Sequence, residues 1–200
     1  MFSRTRVLIA TGFAIVTLGG GVGADAHATD GKETGQPAAV AQHETARGDG
    51  LIQPQHVTID AGLSPQRARL VLLRVRELYT FWDTGDVTYL HRADSPSFID
   101  HTLPQGRQQG LRGIEQASRQ FRAAVPDLHC SVADVLVSGD RVSVRQVYTG
   151  HFTGTYDGVR GHGQPVRFNA FDIQQVGRSQ IVADWHLEDN LTFLTQIGAR

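Results

Sequence analysis

The sequence is short of several residues that would make its function easy to read. It has a single cysteine, Cys130, among 200 residues. An internal disulfide is therefore impossible, and so is any cysteine-rich metal framework. Charge of one sign is not in excess: Lys plus Arg total 19 against 20 for Asp plus Glu, a net charge of −1. Without a basic cluster there is nothing to neutralise a phosphate backbone, which argues against a nucleic-acid partner. Long apolar runs are missing too. The run at residues 7–18 holds about a dozen residues, fewer than the roughly 20 that span a bilayer as a helix. The nucleophile motif G-x-S-x-G and the zinc motif H-E-x-x-H do not occur. Gly161-His162-Gly163 has no helix start behind it to make a phosphate site.

What is present first is a secretory pattern. Arg4 and Arg6 precede the apolar run, and Ala24-Asp25-Ala26 and Ala26-His27-Ala28 are two A-x-A cleavage candidates. Residues 1–28 are expected to be a signal peptide, placing the protein in the periplasm or outside the cell, with no stable membrane span in the mature chain. Residues 29–57 are polar and glycine-rich and are expected to be a disordered linker. Residues 58–200 remain for one domain, long enough for one core.

Within that domain Ser64-Pro65 is a helix start. Ala68, Val71, Leu72, Val75, Leu78, Tyr79 and Trp82 follow at helical spacing, up to Gly85. A second helix is expected over residues 113–125, with Ile114, Ala117, Phe121 and Ala124 on one face and Pro126 behind it. Strands are expected over 128–137, 141–152, 165–176 and 180–188, with a glycine-rich connection at 154–164 and a short helix at 191–197. Helices followed by consecutive antiparallel strands form an α+β pattern: a curved antiparallel sheet with helices over its concave face.

Asp172 interrupts a strand, and strands rarely carry aspartate. Side chains alternate between faces along a strand. Val166, Phe168, Ala170, Asp172 and Gln174 share the more apolar, inward face. Val142, Val144, Gln146, Tyr148 and Phe152 share one on the preceding strand, and Ile181, Ala183, Trp185 and Leu187 on the following one. Asp172 is thus expected to point inside, among Tyr148, Gln146 and Trp185. Burial raises a carboxyl pKa and can make it a general acid or base near neutral pH. A structural aspartate satisfied by a backbone N–H or an arginine is the other reading of the same position.

The segments FIDHTLPQG (98–106), AAVPDL (123–128), SGDRVSVR (138–145), FDI (171–173) and IVADW (181–185) together resemble the SnoaL-like polyketide cyclases, or ester cyclases. The resemblance covers about residues 64–199. It implies the cone-shaped α+β barrel of the nuclear transport factor two-like superfamily, which also holds ketosteroid isomerase and scytalone dehydratase. It also implies cofactor-free aldol ring closure with Asp172 as general acid/base. Two motifs depart from the family pattern. Its Gly-Thr-His-Thr-Gly is Gly150-His151-Phe152-Thr153-Gly154 here, with Phe152 at the histidine position and His151 pointing away from the cavity. Its Glu-His-Trp is Ala183-Asp184-Trp185.

Asp100 and His101 are expected at the barrel mouth as auxiliaries to Asp172, with Tyr148 as a donor to a developing enolate oxygen. Gln146, Phe152, Trp185, Phe121 and Trp82 are the remaining expected ligand contacts. None of the nine histidines stands in a metal-ligand pattern, so no metal and no cofactor are expected; His162 and His186 read as solvated. Two functions fit: an enzyme abstracting a proton beside a carbonyl, or a module that binds a small apolar ligand without chemistry. Phe171, Ile173, Val182 and Val147 on the outer sheet face suggest a homodimer.

Overall fold

Ser64-Pro65 starts the first helix, as the sequence predicts. In the computed structural model of the chain, which describes residues 49–199, α1 spans Pro65–Thr84. Ser64 Oγ accepts the backbone N–H of Arg67 at 3.2 Å. Gly85 ends the helix at φ 78°, a left-handed conformation that costs glycine nothing. Ala68, Val71, Val75, Leu78 and Tyr79 are buried, while Leu72 and Trp82 are half-buried against the same core. A short helix absent from the sequence reading, α2 (Val87–Ala93), follows, capped by the Asp86 side chain on the Thr88 N–H. The third helix, α3 (Leu111–Ala124), stops before Pro126, and α4 (Asn190–Gln196) closes the chain.

Six strands form the main sheet: β1 (His56–Ile59), β2 (Asp94–Asp100), β3 (His129–Ser138), β4 (Arg141–Phe152), β7 (Gln164–Val176) and β8 (Ile181–Glu188). Their order is β1-β3-β4-β7-β8-β2. The four central strands pair antiparallel, and β1 and β2 join the edges in parallel. The fold is thus of the expected α+β class, with a curved, mixed sheet that does not close on itself. Both edge strands escaped the sequence reading. β1 is four residues long, and β2 reads Asp-Ser-Pro-Ser, a loop-like composition. Pro96 is tolerated because β2 lies on an edge.

The glycine-rich connection carries a small hairpin, β5 (Thr155–Tyr156) with β6 (Val159–Arg160). Its turn residues Asp157 and Gly158 both have positive φ, 47° and 79°, the Asp-Gly turn that matches strand twist.

The expected signal peptide and residues 29–48 of the expected linker lie outside the described residues. Residues 49–57 do not behave as a linker. Asp49 pairs with Arg76 at 2.7 Å, the Ile52 N–H donates to Thr80 Oγ1, the Gln55 N–H donates to the Val132 carbonyl, and His56 and Val57 begin β1. Backbone pairing to the sheet and to α1 orders this stretch despite its polar composition.

Candidate active site

The inner faces of β4 and β7 are the ones read from alternation. Their register runs unbroken from Arg141↔Gln175 to Phe152↔Gln164, so no bulge disturbs the side-chain period. On β4, Val142, Val144, Gln146, Tyr148 and Phe152 are buried. On β7, Val166, Phe168, Ala170 and Gln174 are buried, and Asp172 lines a cavity beside them.

A buried network aims Asp172. Tyr79, on the inner face of α1, donates its hydroxyl to Asp172 Oδ2 at 2.5 Å. Gln146 Nε2 donates to the same oxygen at 2.6 Å and to the Tyr79 hydroxyl at 2.6 Å, and Gln174 Nε2 reaches that hydroxyl at 2.9 Å. With two amides donating to it, the Tyr79 oxygen can turn its own proton only towards Asp172. Burial pushes the Asp172 carboxyl up to about 6, against the Tyr79 hydrogen bond and the charge of His186, which pull it down. Helical spacing had marked Tyr79 as core, and nothing in the sequence links it to a residue 93 positions away. Tyr79→Phe removes a bond that favours the charged carboxylate. The Asp172 titration, followed by carboxyl NMR, should therefore move above its position near pH 6. An unmoved titration would show that the bond does not tune Asp172.

The strand after the hairpin departs from expectation. Ile181 pairs with Val176, but Ala183 pairs with Gln175, so the register shifts by one residue at Val182. One extra residue exchanges every later side chain between faces. Trp185 and Leu187, expected inside, face outward. Trp185 does not line the cavity; it is stacked on the His101 ring at 4.4 Å and covered by the Arg141 guanidinium at 4.5 Å. Leu187 is 73% exposed. Asp184, His186 and Glu188 take the inward positions instead, and all three line the cavity. His186, read as solvated from sequence, has a side chain only 11% exposed.

Asp100 and His101 part company for the same geometric reason. Asp100, at the end of β2, is buried and lines the cavity. His101 is the next residue, points the other way and rests exposed on Trp185. The histidine beside Asp100 is His186: its Nε2 lies 3.0 Å from Asp100 Oδ2 and its Nδ1 2.8 Å from Glu188 Oε1. Desolvation alone would lower its pKa. The hydrogen bonds and charges of Glu188 and Asp100 outweigh that and raise it to about 10, so it is a cation at neutral pH. Burial pushes Glu188 up, but the hydrogen bond and charge of His186, a backbone hydrogen bond and the charge of Arg107 together outweigh it, and the Glu188 carboxyl ends below its usual range.

Of the expected ligand contacts, Trp82, Phe121 and Tyr148 line the cavity with Leu78, Phe98 and Phe168. Gln146 stands one layer behind, holding Asp172. Phe152 is fully buried in the core and is not part of the cavity wall. His151 faces outward, where Asp127 accepts its backbone N–H and lies 2.7 Å from its ring Nδ1. A bulge at Gly150 is absent. That glycine is needed for space, because a Cβ there would meet Val125 Cγ1 at 2.4 Å. Asp94, at the start of β2, is fully buried and lines the cavity as well. Burial and the nearby Asp172 push its carboxyl well up, and burial, Asp172 and Asp94 do the same to Asp184. Neither was expected from sequence, since both depend on edges and bulges that alternation does not reveal.

Residues 72–197 match the family described as SnoaL-like polyketide cyclase. No curated protein matches the chain. Among solved structures, a proposed polyketide cyclase from Bacillus cereus ATCC 10987 is 39% identical, with a TM-score of 0.69 over 75% of this chain and 95% of that one. IdmH, a proposed polyketide cyclase from Streptomyces antibioticus, is 25% identical, with a TM-score of 0.57 over 64% of this chain and 98% of its own. A protein of ketosteroid isomerase-like fold from Catenulispora acidiphila DSM 44928 shares the fold at 18% identity, with a TM-score of 0.50 over 62% of this chain and 92% of that one.

Proposed function

The chain belongs to the SnoaL-like polyketide cyclase family, and from that premise we propose that it carries out cofactor-free acid–base chemistry on a small carbonyl compound, with Asp172 as the base. The observation that carries this is the state of Asp172: a carboxyl on the cavity wall, raised by burial to about 6 and aimed by Tyr79 and Gln146. Both hydrogen bonds fall on Oδ2, so Oδ1 is the oxygen left for a substrate proton. A base of this strength is ionised at neutral pH yet strong enough to take an acidified α-proton.

In a ring closure, Asp172 takes the proton beside one carbonyl, and the electron pair moves into an enolate. The enolate carbon then bonds to a second carbonyl carbon of the same molecule. That carbonyl's π pair moves to its oxygen, which receives the proton back from Asp172. Atoms and electrons balance without an oxidant or a cofactor. Tyr148, on the cavity wall and held in its phenol form by burial, is the donor for the enolate oxygen. Asp100 acts through His186, whose cation steadies the charge near Asp172; His101 has no part in it.

The test needs no knowledge of the natural substrate. An acyclic 1,3-diketone in deuterated buffer should exchange its α-proton faster with the protein than with buffer alone, as read by NMR. Exchange at the buffer rate would leave the binding-module reading, which the buried Phe152 in place of the family histidine favours.

Export and pairing belong to the same proposal. The mature chain is expected outside the cytoplasm and starting at His27 or Thr29; N-terminal sequencing that recovers Met1 from the exported fraction contradicts this. A homodimer through the outer sheet face is expected because Phe171, Ile173 and Leu187 lie there 55%, 47% and 73% exposed. A monomeric mass by light scattering at micromolar concentration rules the dimer out.

A further inference from the structure

Carboxyl groups outnumber basic groups in the cavity. Five carboxyl groups line it, against two basic side chains, Arg107 and His186. His186 bonds Asp100 and Glu188, and the charge of Arg107 also acts on Glu188. Asp94, Asp172 and Asp184 are left without a bonded cation. Asp172 at least accepts two hydrogen bonds. Asp94 is fully buried, and neither of its carboxyl oxygens has a hydrogen-bond partner; Asp184 Oδ1 has none either. Native proteins seldom leave buried polar atoms in that condition.

The remaining wall is aliphatic and aromatic, and Trp82, Phe98, Phe121 and Tyr148 are among its aromatic members. Aromatic faces attract organic cations, and carboxylates bind their N–H groups through charge-assisted hydrogen bonds. Among the described residues no three His, Cys, Asp or Glu side chains converge to hold a metal ion. The combination suits a cation that carries N–H donors on one side and carbon on the others.

We propose that the ligand of this cavity carries a primary or secondary ammonium group, seated at Asp94 and Asp184 with its carbon skeleton against the aromatic wall. This rests on the cavity being the substrate site, but not on Asp172 acting as a base. One ammonium charge lets one of these buried aspartates give up its proton without adding net charge to the cavity, and its N–H groups supply donors to oxygens that lack partners.

A proton balance follows. Without a cation, burial and then the charge of Asp172 favour the protonated forms of Asp94 and Asp184. Tyr79 on α1, Cys130 on β3 and Tyr148 on β4 are held neutral by burial, and His186 stays charged. Seating an ammonium should therefore release protons from the aspartates, and from no other group that faces them.

The test is a calorimetric titration of the full chain at pH 7 with butylammonium, butan-1-ol and butyrate, three probes of one shape and different charge. Butylammonium should bind at least about tenfold more tightly than butan-1-ol, the scale of a desolvated charged contact, with butyrate weakest. Its binding heat should vary with the ionisation enthalpy of the buffer, reporting proton release, while that of butan-1-ol should not. Asp94→Asn and Asp184→Asn should each weaken butylammonium by roughly tenfold. Equal affinity for butylammonium and butan-1-ol, or no butylammonium binding, overturns the proposal, and neither result depends on a variant that folds. Loss of the charge preference with diketone exchange intact overturns this inference alone. Loss of exchange with the charge preference intact overturns only the catalytic reading.

Discussion

Asp172→Asn is expected to lower catalysed α-proton exchange, and any ring closure, by roughly 10²-fold or more, the scale of a lost general base. Asparagine has nearly the same shape, and its amide oxygen can still accept from the Tyr79 hydroxyl and Gln146 Nε2, so the network around it should persist. Stability should not fall, and the sign follows from linkage. The folded protein holds the Asp172 proton up to about pH 6, whereas the ordinary carboxyl value is 3.8. The unfolded chain therefore sheds that proton first, and Asp172 progressively destabilises the fold as pH rises from about 4 to about 6. Asparagine has no such slope. At pH 7 the variant should melt at or above the temperature of the native protein, and below pH 4 the Asp172 contribution to any difference should disappear. A structural aspartate predicts the opposite: a lower melting temperature and exchange that falls only as folded protein is lost. Parallel thermal melts and exchange rates of the two proteins decide between them.

Removing His186 should have the largest effect on stability. Its cation stands between Asp100 and Glu188 with a side chain only 11% exposed. His186→Leu leaves the buried Asp100 and the half-buried Glu188 without their shared partner, and breaking a buried pair typically costs about 3–5 kcal/mol. The native protein should report the same interaction through pH. His186 has a folded value of about 10 against an ordinary 6.5. Its stabilisation is fully present below pH 6.5 and is lost as pH rises through about 10. Glu188 works in the other direction: its lowered value supplies stability that is lost on acidification. Urea denaturation at pH 6 and pH 9.5 should show the native protein losing stability across that interval and His186→Leu losing clearly less. Equal losses in the two proteins would mean that the histidine is not held as a cation.

The two residues differ in how they could be found. Asp172 was legible because β4 and β7 pair without interruption, so a period of two carries its side chain inward with Phe168 and Gln174. His186 lies on a strand of equally regular composition, and the same period sends it to solvent. The register shift at Val182 reverses that, and Ile181-Val182-Ala183 has no glycine or turn residue to announce it. The Asp100–His101 pair shows the same limit. Sequence places the two together, and a strand end separates them by pointing one into the cavity and the other onto Trp185.

Local patterns thus determined the helix that Ser64-Pro65 begins and Gly85 ends, the antiparallel centre of the sheet, the family resemblance and the inward face of Asp172. Each of these depends on neighbours within a turn of helix or along one strand. Tertiary structure alone decided that Tyr79 would orient Asp172, that β2 would bring Asp94 and Asp100 to the cavity, and that His186 would pair with Asp100 across 86 positions. Those contacts depend on one strand gaining a residue and another joining an edge in parallel. Such choices are settled by packing the whole sheet, and no short stretch of sequence encodes them.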